Sequence, residues 1–200
     1  MLGHQFYHGI IRKYVVAFGS LFNDITILRE DRNNSSNKKL VRVPISYGPK
    51  EKFLVRLRQD PNLDQDIAIS APRLGFNLDS LAYNPERKLN KIHKNVSAIA
   101  GNNSSLATQY MPVPYDFDFT LNAFVRNAED GTRILEQILP FFSPEFSVTI
   151  DSIPEMGLQD DIYLVLNSVD SQEEFEGNFD TRRSIIWNLS FTMRGFLYGP

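Results

Sequence analysis

Hydrophobic and polar residues alternate along two long segments of the chain, residues 115–126 and 184–197. In each segment one set of alternate positions is mostly apolar and the other mostly polar, which is typical of a β-strand that buries one face. Twelve residues at ~3.3 Å each reach about 40 Å, well beyond the usual five or six residues. Strands of this length indicate a subunit that shares sheets with its neighbours or projects ribbons towards them.

Shorter alternating segments predict further strands, at residues 24–30, 39–45, 67–69, 73–83, 146–150 and 162–168. The first two enclose the polar stretch 31–38, which predicts a hairpin with a flexible tip. Residues 94–108 are rich in Asn, Ser, Ala and Gly, and we interpret them as a loop.

Helical periodicity predicts three helices, at residues 5–22, 49–57 and 127–139. Phe6, Ile10 and Tyr14 recur on one face of the first helix, and Asn127 is suited to the N-cap of the third. We find no internal repeat and no domain boundary. The pattern therefore predicts one α+β domain over residues 1–200, with a mixed or mostly antiparallel sheet and about three helices on one side.

The composition of the chain indicates which kinds of partner and which compartment to expect. Apolar residues make up 42% of the chain and 15 residues are Phe, enough to fill a core and leave apolar surface for partners. The net charge of −3 disfavours tight nucleic-acid binding, which usually needs a basic excess. The chain has no Cys, which indicates a reducing compartment. We see no targeting segment and no run of the ~18 apolar residues that a membrane span needs.

Few residues suggest chemistry. His4 and His8 are spaced for one face of a helix, but we interpret them as surface or packing residues, and His93 as solvated. Asp116 and Asp118 are two apart on one strand face, so they could converge on a metal ion or act as an acid/base pair, but we interpret them as the polar side of a half-exposed strand. The other acidic residues considered lie in turn-like sequence: Asp160, Asp161, Glu173, Glu174 and Glu176.

Sequence motifs for nucleophilic catalysis and phosphate binding are absent from the chain. We therefore predict no catalytic, cofactor-binding or metal-binding residues, no cofactor and no enzyme activity. One basic patch stands out, and it could contact DNA, pair with an acidic partner or simply be solvated. Its residues are Arg87, Lys88, Lys91 and Lys94, while Arg182 and Arg183 follow an acidic loop and balance it.

An ordered set of short motifs spans the whole chain. It includes 43–50 (VPISYGPK), 72–76 (PRLGF), 83–90 (YNPERKLN), 127–133 (NAEDGTR), 136–142 (EQILPFF), 153–157 (IPEMG), Arg182–Arg183 with Trp187, and 195–200 (GFLYGP). Together these motifs resemble the tail sheath stabiliser and completion proteins of T-even-like, contractile-tailed bacteriophages. Some members of that family continue beyond the position of Pro200.

The resemblance implies a structural virion protein with a tail-terminator-like fold, assembled in the host cytoplasm. It implies a hexameric ring at the head-proximal end of the tail. That ring caps the sheath and tube, contacts the tail sheath protein, the tube terminator and the neck proteins, and lets DNA pass without specific binding or any membrane contact. We expect the contacts to come from the tip 31–38, the loop 84–107 and the acidic loop 171–181.

The sequence has three alternative readings at this point. Another head–tail connector or neck ring protein would differ in its partners rather than in kind. A small α+β hydrolase using Asp116 and Asp118 belongs to a different class, and a free nucleic-acid-binding protein conflicts with the charge balance.

Overall fold

The computed structural model describes residues 5–31, 34–58, 71–90, 92–98, 106–174 and 184–199. Within these residues the helices are α1 (Ile10–Leu21), α2 (Lys50–Arg58) and α3 (Ala128–Ile138). The strands are β1 (Thr26–Asp31), β2 (Asn34–Arg42), β3 (Ile45–Tyr47), β4 (Arg73–Tyr83), β5 (Lys94–Ala98), β6 (Leu106–Tyr110), β7 (Val113–Val125), β8 (Glu145–Ile153), β9 (Leu158–Glu174) and β10 (Ser184–Leu197).

Six strands form the central sheet, in the order β3-β4-β7-β10-β9-β8. The short strand β3 is parallel to β4, and the other neighbouring pairs are antiparallel. The central strands are long, with 13 residues in β7, 14 in β10 and 17 in β9. The predicted α+β class with a mixed, mostly antiparallel sheet of long strands is thus confirmed.

The core lies on the face of the sheet that the sequence alternation predicts to be apolar. Cross-strand pairing places Leu121 of β7 opposite Leu189 of β10, and Phe119 opposite Phe191. All four side chains are buried. Paired apolar side chains on neighbouring strands are the contacts that stabilise a sheet face, so this register fixes the surface on which the helices pack.

Helix α1 packs on that apolar face through a stripe of buried side chains. Tyr14 and Phe18 are fully buried, and the Phe18 ring stacks on Phe119 with 4.5 Å between centroids. The helix begins after Gly9, whose φ of 65° lies in the left-handed region. It is therefore shorter than the predicted 5–22, and Phe6 lies outside it with 49% of its surface exposed.

Helix α2 packs on the opposite face, which corrects the expectation that all helices share one side. Phe53 of α2 contacts Phe124 of β7, with ring centroids 5.5 Å apart, and Ile186 of β10 completes this small cluster. Phe124 is an apolar residue in the set of positions that the alternation predicts to be polar. Helix α2 therefore covers one end of the polar face, where it shields the apolar side chains of Phe124 and Ile186 from water.

Two hairpins stand outside the central sheet. The β1–β2 pair was predicted, but β2 begins at Asn34, so residues 34–38 of the predicted tip belong to this strand. Gln137 of α3 donates to the Thr26 carbonyl at 2.8 Å, and Arg133 donates to the Leu28 carbonyl. Residues 94–108 were predicted to form a loop. This prediction is wrong for β5 and for the part of β6 within that range, because the two strands form an antiparallel pair.

The acidic segment after residue 168 also differs from the prediction. Strand β9 continues to Glu174, so Glu173 and Glu174 lie in a strand rather than a turn. Backbone pairing with β10, in which Ser184 lies opposite Glu174, extends this strand although its residues are polar. The predicted strand 67–69, Glu176, Arg182 and Arg183 lie outside the described residues.

Candidate interaction surfaces

The carboxylate of Asp118 lies on the polar face of the sheet between two neighbouring strands. Ser80 of β4 donates to it at 2.6 Å, and Thr192 of β10 donates at 2.8 Å. Asn167 of β9 in turn donates to Thr192 at 2.8 Å. This chain of hydrogen bonds runs across four strands and uses the Asp118 oxygens as acceptors for neutral donors.

Asp116 is held by a cation instead, so the two aspartates do not converge on one point. Arg87 donates to Asp116 at 2.7 Å and Asn84 donates at 2.8 Å. The Arg87 guanidinium lies 5.2 Å from the Phe196 ring centroid. Arg87 thus binds the sheet rather than extending into solvent, which removes it from the predicted basic patch.

Asp160 and Asp161 lie in β9, not in the turn that the sequence suggests. The Tyr198 hydroxyl lies 2.9 Å from both Asp160 oxygens, and Ser152 donates to the same carboxylate. Asp161 accepts a hydrogen bond of 2.6 Å from Thr149 of β8. Both carboxylates therefore have structural partners at the β8 edge of the sheet.

The C-terminal end of β10 is anchored to α1 through Tyr14. The Tyr14 hydroxyl donates to the Phe196 carbonyl at 2.8 Å and accepts from the Phe196 N–H at 3.0 Å. Burial raises the pKa of Tyr14 from 10.0 to about 12, although the hydrogen bond to Phe196 opposes this shift. Burial and the Asp160 carboxylate also raise the pKa of Tyr198.

The histidines do not form the helical pair that their spacing suggests. His8 precedes α1, and its Nε2 lies 3.2 Å from the Gly199 carbonyl oxygen. His4 lies outside the described residues, and His93 is exposed. Across the described part of the chain, no three His, Cys, Asp or Glu residues are grouped closely enough to hold a metal ion.

An apolar groove of about 650 Å³ lies where the C-terminal ends of α1 and α3 meet β8. Phe22, Phe141 and Phe142 are among the residues that line it, and Phe141 has 66% of its surface exposed. The exposed acidic residues Asp24 and Glu136 also line the groove. A concave apolar surface of this kind is suited to an apolar group of a binding partner.

The outer face of the β5–β6 hairpin is also apolar. Three of its side chains are more than half exposed: Val96 (58%), Leu106 (68%) and Tyr110 (51%). Lys94 shares this face, with its Nζ 4.6 Å from the Tyr110 ring centroid. Large apolar side chains grouped on a surface hairpin are typical of a protein–protein contact.

Sequence reasoning missed both of these surfaces. The groove had one visible signal, the apolar run around Pro140 that continues past the end of α3. The hairpin had a weaker one, since Val96 alternates with polar neighbours inside an Asn- and Ser-rich stretch. Within the described residues, no helix is both long enough and apolar enough to cross a membrane.

Comparison with known proteins shows the family to which the chain belongs. The family model for the T4-like virus Myoviridae tail sheath stabiliser matches residues 5–200. Tail completion protein gp15 of Enterobacteria phage T4 is 34% identical over 210 aligned positions, which cover 100% of this chain and 74% of the T4 protein. The chain is thus a structural protein of a contractile phage tail. It belongs to the T4-like tail sheath stabiliser family, as its motifs indicated.

Proposed function

We propose that this chain forms a hexameric ring at the head-proximal end of the tail. The ring covers the last sheath subunits and the end of the tube, and it offers the neck a docking surface. Family membership over residues 5–200 is the observation that carries this proposal. The name of the T4 relative, a tail completion protein, supports a role at the end of tail assembly.

A closed ring needs a head-to-tail interface, in which two different patches of the same chain meet. The described surface offers patches of different shape, a concave groove near Phe142 and a protruding hairpin that carries Leu106. Six copies then present six identical sites to the tail, so weak contacts add through avidity. This arrangement suits a joint that has to hold during contraction.

Capping would also end polymerisation of the sheath, because the terminal sheath surface is covered by a different protein. The slightly acidic net charge of −3 suits a DNA conduit, since a strongly basic lining would retain the DNA. We expect the segments 84–107 and 171–181 to contribute contacts to the sheath or the neck. A test of the tip 31–38 needs substitutions, because deletion would remove paired residues of β2.

The test is the mass of the purified protein in solution, with and without isolated tails, followed by negative-stain imaging. We expect a hexamer, or a monomer that becomes a cap at one end of the tail. A monomer that binds neither tails nor necks would overturn the proposal. Binding to the neck alone would favour a connector ring instead.

A further inference from the structure

The β5–β6 hairpin has its apolar side chains on the outside and polar ones beneath. Val96 pairs with Thr108 and Lys94 with Tyr110, and directly paired residues of an antiparallel ladder share a face. The other face contains Gln109, which is 5% exposed and donates to the Gly199 carbonyl at 2.8 Å. The usual orientation of an amphipathic hairpin is thus reversed.

This reversal has an energetic consequence. A two-stranded hairpin is marginally stable in water unless another surface covers its apolar face. A partner that covers the exposed side chains of Val96, Leu106 and Tyr110 would stabilise the complex in proportion to the apolar surface it buries. The hairpin is therefore more stable in a complex than in an isolated copy.

Shape and charge indicate which surface covers it. The hairpin protrudes and its outer face carries the cation of Lys94, next to the exposed His93. The groove is concave and lined largely by apolar side chains, and the exposed carboxylate of Glu136 borders it, whereas the carboxylate of Asp24 already pairs with Arg42 at 2.9 Å. Two hairpins placed face to face would bring two Lys94 cations together, whereas a hairpin in a groove pairs opposite charges.

We propose that the outer face of the β5–β6 hairpin of one copy docks into the apolar groove of the next copy. Leu106 and Tyr110 enter the groove, and Lys94 lies near Glu136. The two surfaces differ and belong to the same chain, so the contact is head-to-tail and repeats until the ring closes. This inference rests on the proposed ring and specifies the interface that closes it.

Cysteine crosslinking tests the contact directly, because the native chain has no Cys. We would prepare Leu106→Cys, Glu136→Cys and the double variant, assemble each on isolated tails, and treat them with a flexible bismaleimide. The double variant should give a covalent ladder up to the full ring. An equimolar mixture of the two single variants should stop at dimers, and each single variant alone should stay monomeric.

Other outcomes separate this proposal from the ring itself. A capped tail with a ring, seen by imaging, but without crosslinks in the double variant would overturn the interface and leave the proposed function standing. Dimers of Leu106→Cys alone would also overturn it, because hairpins would then meet each other. Absence of any ring on the tails would overturn both.

A charge exchange provides an independent test that needs no crosslinker. Lys94→Glu should lower the fraction of capped tails on the order of fivefold, because it places like charges together. Combination with Glu136→Lys should restore capping. Lys52→Glu is the matched control, since Lys52 is an exposed lysine on α2. Equal loss in both lysine variants, or no rescue, would contradict the proposed pairing.

Discussion

Arg87 and Asp116 form an ion pair at 2.7 Å, with 24% and 23% of their side-chain surfaces exposed. The same guanidinium donates to the carbonyls of Tyr115 at 3.2 Å and Gly195 at 3.3 Å. One side chain therefore ties the segment after β4 to β7 and β10. The sequence analysis assigned Arg87 to a basic patch and Asp116 to the polar face of a half-exposed strand, whereas in the fold the two side chains pair and each neutralises the other.

Replacement of Arg87 should destabilise the fold. Arg87→Met leaves the Asp116 carboxylate partly buried without its cation, which we expect to lower the free energy of unfolding by about 1 to 3 kcal/mol. Urea unfolding followed by the fluorescence of Trp187, the one tryptophan, measures this value. The adjacent exposed Lys88 gives the control Lys88→Met. Equal effects of the two variants would mean that the ion pair contributes nothing.

Gly195 is required where β10 passes beneath α1. A Cβ at this position would lie 2.6 Å from Tyr14 and 2.8 Å from Phe117, both aromatic rings in the core. We expect Gly195→Ala to cost about 1 to 3 kcal/mol, as overpacking of a tight core does.

Gly199 offers the same substitution in open space, because a Cβ there has no neighbour within 4 Å. Gly199→Ala should change the free energy of unfolding by less than about 0.5 kcal/mol. Thermal unfolding of both variants, followed by circular dichroism, compares them. If Gly195→Ala were as stable as Gly199→Ala, the close packing of Tyr14 on β10 would be wrong.

Phe18 is the aromatic centre of the core. Its ring contacts Phe22, Phe76, Phe119 and Phe191, with centroid distances between 4.5 and 5.4 Å. Phe18→Ala should therefore lower the free energy of unfolding by about 3 to 5 kcal/mol. Val16→Ala on the same helix, where Val16 is 62% exposed, should cost less than about 0.5 kcal/mol by urea titration.

The sequence predicts a strand correctly where apolar and polar residues alternate over a segment long enough to exclude other structures. Strand β10 was predicted at 184–197 and β4 at 73–83, with the bounds that the structure has. The β5–β6 strands were missed because each has only five residues, and their pairing comes from the partner strand rather than from composition. The position of α2 depends on Phe124 and Ile186, two apolar residues at positions where the alternation predicts polar ones.

The interaction surfaces depend on distances that no sequence pattern contains. The groove joins residues at the end of α1, in α3 and in the segment between α3 and β8, which meet only after α1 and α3 have packed on the sheet. The resemblance to tail completion proteins indicated the kind of partner, since it depends on ordered motifs along the chain. It did not indicate which face meets the partner, because those motifs lie on several elements.

Tyr14 also gives the fold a dependence on alkaline pH. Its pKa rises from 10.0 to about 12 on folding, mainly through burial, so the folded state favours the neutral hydroxyl. This contribution is fully present below pH 10, and it is lost as the pH rises through 10 to 12. The loss amounts to at most about 3 kcal/mol, at 1.36 kcal/mol for each pKa unit.

Tyr14→Phe should separate the two roles of this hydroxyl. At neutral pH the variant should be about 1 to 3 kcal/mol less stable, because the Phe196 carbonyl and N–H lose their partner. Above pH 10 its stability should fall less steeply than that of the native chain, because no buried phenol is left at that position to ionise. Urea midpoints measured from pH 8 to pH 12 test this, with Tyr7→Phe, at an 80% exposed tyrosine, as the control. Parallel pH profiles for the native chain and Tyr14→Phe would show that ionisation of Tyr14 does not limit alkaline stability.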